Sequence, residues 1–174
     1  TVENRYSMQK CFYGCTAIVS LEAIPEGVVD MSYCFNKCTS LVEAPALPDS
    51  VTNMLSCFFE CESLTEAPVI PQGVMYIGSC FFGCKNLTKA PVIPSGITNM
   101  NFCFSRCKNL KEAPVIPEGV TDMEYCFIDC ECLIKAPVLP KIVENLSYCF
   151  RNCRALTKAP VLPESVTSIA ECFK

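Results

Sequence analysis

Cysteine is the residue type in this 174-residue chain with the greatest capacity for chemistry. Fifteen of the sixteen cysteines belong to copies of one phrase, Cys-Phe-x-x-Cys. Thiols at this density could form disulfides, bind a metal or pack as small apolar groups. The phrase recurs every 23 residues without insertion or deletion, its first cysteines being Cys11, Cys34, Cys57, Cys80, Cys103, Cys126, Cys149 and Cys172. A constant period of this length is typical of stacked structural repeats, so the cysteines are predicted to form columns.

The spacing within the phrase favours buried free thiols over the two alternatives. Two cysteines four residues apart on one predicted helix are poorly placed for a disulfide, which needs Cβ atoms about 3.5–4.5 Å apart. Structural zinc sites use shorter cysteine spacings and a closed set of four ligands. The sequence therefore predicts no disulfide and no metal site. The sixteenth cysteine, Cys132, stands where other units have Ala, Ser or Asn, so it is predicted to fill a small slot, with an exposed reactive thiol as the alternative.

The elements that position the cysteines follow from the apolar pattern of the unit. With the first cysteine as position 0, apolar residues occupy positions 0, 1, 4, 7, 10, 13, 17 and 20. Positions 20, 0, 1 and 4, as at Met54, Cys57, Phe58 and Cys61, have the spacing of one helical face. The pair Thr52-Asn53 precedes them as a plausible N-cap. We therefore expect a helix of about two turns in each unit.

The other half of the unit is bracketed by proline, as in Pro68-Val69-Ile70-Pro71. Proline has no N–H to donate to a sheet, so any strand here is predicted to be very short, about two to four residues. One such unit cannot cover its own apolar face, whereas stacked units bury it against each other. The predicted fold is an α/β solenoid of about seven 23-residue units, forming one domain over residues 1–174.

The composition excludes several classes of function. The net charge of −4 lacks the basic excess of nucleic-acid-binding proteins, and the sequence has no apolar run of about 18 residues that would span a membrane. There is no histidine, no glycine-rich phosphate loop and no nucleophile beside an evident base. We therefore expect neither an enzyme nor a cofactor.

Two stretches of the chain carry a family resemblance. The residues V-T-N-M-L-S-C-F-F-E-C-E-S-L (51–64) and V-T-D-M-E-Y-C-F-I-D-C-E-C-L (120–133) resemble the BspA-like leucine-rich repeats of bacterial surface proteins. The resemblance implies a curved, right-handed solenoid at the cell surface or outside the cell. It also implies a non-enzymatic scaffold for adhesion or for binding a protein or another macromolecule.

The alternative is a structural building block that packs against other solenoids end to end or side by side. The chain begins and ends inside a unit, which predicts a piece of a longer array with possible self-association through uncapped ends.

Candidate binding residues lie at the variable positions of the unit, because the constant positions are used for packing. Position 9 carries a line of charge that changes from acidic to basic: Glu43, Glu66, Lys89, Glu112, Lys135 and Lys158. A solvated face is the simpler interpretation of that line. Positions 22 and 2 carry aromatic residues, which are frequent interface anchors but could equally be half-buried packing: Tyr33, Phe59, Phe82, Phe102, Tyr125 and Tyr148.

Overall fold

In the computed structural model, which describes residues 5–174, successive 23-residue units lie directly on one another. We number the units as coils 1–7. Position 0 of each coil is its first cysteine, at residues 11, 34, 57, 80, 103, 126 and 149. The phenylalanines at position 1 form a continuous stack from Phe12 to Phe173, with neighbouring ring centroids 5.2–5.7 Å apart. This separation is close to the spacing of paired β-strands. Each coil therefore adds one layer to a solenoid.

The apolar columns predicted from the sequence form the core. In coils 3–6 the residues at positions 0, 1, 4, 7, 17 and 20 are fully buried, as Cys80, Phe81, Cys84 and Leu87 show in coil 4. Position 13 is nearly buried, and the alanines at position 10 are half-buried or buried against it. Each inner column contains the same or a similar residue type in consecutive coils, so the core is continuous along the axis.

The predicted helices are wrong, because residues 5–174 contain no helix. In coil 3 the Cys57 amide donates to the Met54 carbonyl (3.1 Å) and the Cys61 amide to the Phe58 carbonyl (3.1 Å). These are bonds between residues three apart, as in β-turns, and they recur in every coil. A chain of linked turns therefore replaces the helix.

The amides between these turns explain why no helix forms. The Ser56 amide donates to Gly78 (2.9 Å) and the Glu60 amide to Phe82 (2.6 Å), both carbonyls of the next layer. Ser56 and Glu60 have φ of 51° and 54°, far from the helical value of about −63°. Residues immediately before the paired cysteines adopt this left-handed conformation in every coil. Alternate amides thus bond within a layer and between layers, which an α-helix cannot do.

β-Structure is limited to short parallel contacts between coils. Strand β1 (Tyr6–Ser7) pairs with β2 (Val28–Asp30), with an irregular register between Tyr6 and Ser7. Beyond them, isolated parallel bridges join neighbouring coils mainly at positions 9 and 19. The very short strand expected in the proline-bracketed segment is thus displaced to either side of it, because proline supplies no amide for pairing.

Side chains at position 19 accept backbone hydrogen bonds and so cap the turns. The Asn53 Oδ1 accepts from the Leu55 amide (3.0 Å), and the Asp122 Oδ1 accepts from the Glu124 amide (3.0 Å). Asn53, which the sequence suggested as part of a helix cap, therefore caps a turn by the same chemistry. No helix with the length and apolarity of a bilayer-crossing segment occurs among residues 5–174.

Candidate functional site

The cysteines form two columns inside the stack, and the structure has all sixteen as free thiols. At position 4 the thiol donates to the phenylalanine carbonyl of the preceding coil, as Cys84 does to Phe58 (3.2 Å) and Cys107 to Phe81 (3.1 Å). The same Phe81 carbonyl also accepts the Cys84 amide (3.2 Å). The thiol therefore donates to the second lone pair of a buried carbonyl oxygen that already accepts an amide.

Burial opposes ionisation of these thiols. It raises the pKa of Cys34 and of Cys80 to about 12, and that of Cys38 to about 11. A thiol with a raised pKa is a poor nucleophile and a poor metal ligand, because both roles need the thiolate. Within residues 5–174 no three Cys, Asp or Glu side chains are grouped as a metal site. With ionisation opposed by burial, the column thiols pack as small apolar groups.

Cys132 lies outside the columns and is exposed, as is Cys11 at the start of coil 1. The small slot predicted for Cys132 is therefore wrong. Position 6 also faces solvent in coils 4 and 5, where Asn86 and Asn109 are exposed. This agrees with the alternative of an exposed thiol.

The aromatic residues at positions 22 and 2 lie on one face and form a single band. Besides the core phenylalanine at position 1, each of the seven complete Cys-Phe-x-x-Cys phrases has one further aromatic residue, either just before its first cysteine or two residues after it. The aromatic band consists of Tyr13, Tyr33, Phe59, Phe82, Phe102, Tyr125 and Tyr148. The first three of these rings line a shallow groove together with Lys10, Asn36 and Ser56. Phe82 stacks on Phe59 beside this groove.

The alternation between two columns is not apparent when each column is considered alone. Where one position holds a ring, the other mostly holds a smaller or more polar side chain, such as Ser56 beside Phe59, Ser79 beside Phe82 or Ser105 beside Phe102. The reciprocal occupancy of positions 22 and 2 is the sequence signal that could have revealed the band. It gives every phrase one ring without crowding.

The band is ordered by stacking and by cations. Phe59 stacks on Phe82 at 4.4 Å, and Tyr125 lies between Phe102 and Tyr148 at 4.5 Å from each. Charged groups then cover ring faces: Arg106 lies over Phe82 (5.3 Å), Arg151 over Tyr148 (5.7 Å) and Lys10 over Tyr33 (5.6 Å). Phe82, Tyr125 and Tyr148 therefore have both ring faces occupied.

What the band presents to solvent is ring edges and hydroxyl groups. The rings from Tyr33 to Tyr148 are half-buried, whereas Tyr13 is 47% exposed. The hydroxyls of Tyr33, Tyr125 and Tyr148 have no hydrogen-bond partner within the described chain. Half-buried rings of this kind can pack against apolar groups of a partner, while the tyrosine hydroxyls donate hydrogen bonds to its polar groups or accept them.

The position-9 charges lie elsewhere, on the face that carries the proline-bracketed segments. All six side chains, from Glu43 to Lys158, are exposed. Lys89 and Glu112 line a groove with Pro91, Val92 and Val115. The structure thus places the sequence-predicted residues on two separate surfaces, and it does not bring the charges and the aromatic rings together.

The 23-residue turn repeat is shared with known proteins. The profile of the BspA-type leucine-rich repeat region matches residues 5–111 and 80–174, in six copies. The chain belongs to the BspA-type leucine-rich repeat family. Proteins of this repeat scaffold family are typically non-catalytic. No curated protein sequence matches the chain.

Solved structures of leucine-rich repeat proteins share this fold. The Treponema pallidum leucine-rich repeat protein TpLRR is 30% identical, with a TM-score of 0.71 over 87% of this BspA-type chain and 72% of its own. A Eubacterium ventriosum protein (22% identity, TM-score 0.72) covers 92% of this chain, and a Bacteroides ovatus protein (23%, 0.64) covers 93%. The chain spans 44% and 48% of the lengths of those two. These likenesses establish the leucine-rich-repeat solenoid.

Proposed function

We propose that this chain is a non-catalytic binding scaffold of a microbial surface or secreted protein, and that the aromatic band contacts its partner. The observation that carries the proposal is one ring per phrase over seven consecutive phrases. The inner columns pack without the side chains at positions 22 and 2. The core therefore does not require aromatic rings at these two positions. A continuous band about 30 Å long, at roughly 5 Å per coil, suits an extended partner.

The chemistry of the band favours a protein partner. Tyrosine and arginine are among the residue types that most often contribute binding energy at protein interfaces. Stacking already restrains rings such as Tyr125, so less side-chain entropy is lost on binding. A nucleic-acid base requires an open ring face, whereas Phe82, Tyr125 and Tyr148 have both faces covered.

The location outside the cell rests on membership in the BspA-type family, many of whose members are surface proteins of host-associated bacteria. A secretion signal or cell-wall anchor in the complete gene would support it, and a full-length protein confined to the cytosol would contradict it. Catalysis by the chain is not proposed, because it has no histidine and its column thiols are protonated by burial.

Replacing two rings tests the binding role. The Tyr125→Ser/Tyr148→Ser variant should keep the fold, since Ser56 and Ser79 already occupy position 22 in other coils. Binding of the labelled 174-residue chain to cultured epithelial cells, measured by flow cytometry, should weaken at least ~10-fold, or about 1.4 kcal/mol. Protease treatment of the cells should abolish the signal if the partner is a protein.

The matched control removes exposed apolar side chains outside the band. Met75 and Tyr76 are 55% and 62% exposed, so Met75→Ser/Tyr76→Ser removes two large side chains that are more exposed than the rings of the band. This control should bind like the unmodified chain. Equal binding by both double variants would show that the band is not the contact surface.

A further inference from the structure

A column of five valines lies almost fully in solvent. Val69, Val92, Val115, Val138 and Val161, at position 12 of coils 3–7, are 81–89% exposed. Each stands between two prolines, and the column runs along the solenoid axis. Single exposed valines are ordinary, but a continuous apolar column of this kind is typical of a surface that another molecule covers.

The backbone around the valines is also open. Among residues 5–174, no backbone hydrogen bond joins the proline-bracketed segments of coils 3–7 to each other. Grooves lie between neighbouring segments, one lined by Val92 and Val115 and another by Val138 and Val161. The position-9 charges line the same grooves, with Lys89 and Glu112 in the first and Lys135 and Lys158 in the second. We call this surface, from position 9 to position 15, the Pro-Val face.

The position-9 charges on the Pro-Val face are not paired within the described chain. At position 5, neighbouring coils form ion pairs, Lys85 with Glu62 (2.7 Å) and Lys108 with Glu131 (2.9 Å). At position 9 no ion pair is formed among the described residues. From coil 2 to coil 7 the order at position 9 is Glu, Glu, Lys, Glu, Lys, Lys.

When this order is reversed, each place holds a residue of the opposite charge. Turning a second copy end for end about an axis between coils 4 and 5 places coil 2 opposite coil 7, coil 3 opposite coil 6, and coil 4 opposite coil 5. Every position-9 charge then faces an opposite charge: Glu43 faces Lys158, Glu66 faces Lys135, and Lys89 faces Glu112. Two-fold symmetry repeats each of these pairs.

We propose that the Pro-Val face binds a second copy of this chain, antiparallel, with the two-fold axis between coils 4 and 5. The valine columns then cover each other, Val92 facing Val115 and Val69 facing Val138. The covered area is about 600 Å² per copy, from six coils at ~5 Å and six residues of ~3.3 Å across. Two such faces bury about 1,200 Å², the lower end of the range for specific complexes.

The charges select both the register and the direction. A shift of one coil sets either Lys89 or Glu112 against itself in the partner. A parallel arrangement places position 9 opposite position 15, where Glu43 meets Asp49, Glu112 meets Glu118 and Lys135 meets Lys141. Like charges in an interface cost free energy, so these alternatives are disfavoured.

In the proposed register, position 15 of each coil faces position 15 of the opposing coil in the second copy. One like-charged pair results, Asp49 with Glu164, at the ends of the interface. The other facing pairs, Gln72 with Lys141 and Ser95 with Glu118, carry no repulsion. The balance favours association, because all pairs at position 9 are attractive and lie beside the valines.

Charge reversal tests the proposal with the purified 174-residue chain. In sedimentation velocity from about 1 to 100 µM, the unmodified chain should reach twice its mass of 19.2 kDa. Glu43→Lys/Glu66→Lys and Lys135→Glu/Lys158→Glu should each raise the dissociation constant at least ~100-fold. An equimolar mixture of the two variants should restore the dimer, because every charge again faces its opposite.

The controls distinguish contact through the Pro-Val face from unfolding of the variants and from contact through the ends of the stack. The replaced side chains are exposed, so thermal unfolding should confirm that both variants keep their fold. Phe173→Ser changes the exposed end of the stack and should leave the dimer intact. A monomeric unmodified chain, a mixture that stays monomeric, or a dimer lost only on Phe173→Ser would each overturn the proposal. The measurement involves no external partner, so its result is independent of the role of the aromatic band.

Discussion

At the scale of single residues, cysteine serves this protein as a compact core residue with one weak donor. The Cys107 thiol occupies a site with room for a small side chain and bonds a carbonyl that already accepts an amide. Serine would form a similar hydrogen bond but would place a more polar group in an apolar column. The thiol combines the size, the apolar character and the donor that this position uses.

The buried thiols should make the protein sensitive to alkaline pH. Burial raises the pKa of Cys80 to about 12 and that of Cys107 well above its usual value, whereas unfolded cysteines ionise near about 8.5. Above that pH the unfolded chain loses protons that the folded chain keeps, so the free energy of unfolding falls. Each such thiol contributes a loss of about 1.4 kcal/mol per pH unit.

Thermal unfolding followed by circular dichroism checks this expectation. The melting temperature should be constant from pH ~7 to ~8 and should fall steeply between pH ~9 and ~10.5. The control is a thiol count on denatured protein without reductant, which should give all sixteen cysteines. A melting temperature that stays constant through pH ~10.5 would contradict the raised pKa values.

At the scale of the element, the turn segment depends on left-handed residues before the cysteines. Gly83 has φ of 70°, and an added Cβ would lie 3.1 Å from the Glu60 Cγ. Gly96 does not have positive φ, and the nearest atom to an added Cβ is 4.0 Å away. The two glycines therefore form a matched pair in one coil.

Alanine at each glycine tests the turn assignment. Gly83→Ala should reduce the free energy of unfolding by about 1–2 kcal/mol, because a Cβ is strained at positive φ. Gly96→Ala should leave it unchanged or raise it by up to about 1 kcal/mol through the unfolded state. Urea unfolding measures both. A stabilising Gly83→Ala would indicate a helical segment instead.

At the scale of the whole molecule, each coil is stabilised by its two neighbours. Phe81 is fully buried between Phe58 and Phe104. Among residues 5–174, Phe173 stacks on Phe150 alone, and it is 44% exposed. Stability should therefore be highest in the middle of the array and lowest at its ends.

A pair of alanine substitutions measures this gradient. Phe81→Ala should cost about 3–5 kcal/mol, and Phe173→Ala less than about 2 kcal/mol, since nearly half of its surface is already exposed. Urea unfolding gives the difference, and hydrogen exchange should show the slowest amides in coils 3–5. Equal costs at both positions would mean that the array does not have nearest-neighbour energetics.

Much of the architecture could be predicted from the sequence because the repeat is free of insertions. The period fixes which residues stack, and the apolar columns at Leu87 and Phe81 follow directly from it. The candidate site was harder to predict. Tyr125 and Phe59 belong to one surface only because positions 22 and 2 lie side by side, which no single column shows.

The sequence by itself determined the unit length, the identity of the core columns and the family. Only the tertiary structure decided that the segment around Cys57 forms turns rather than a helix, since apolar spacings of three and four residues suit both. The physical reason is where the amides find acceptors. The Ser56 and Glu60 amides bond carbonyls 22 residues further along the chain, and those acceptors exist only once the next coil lies in place.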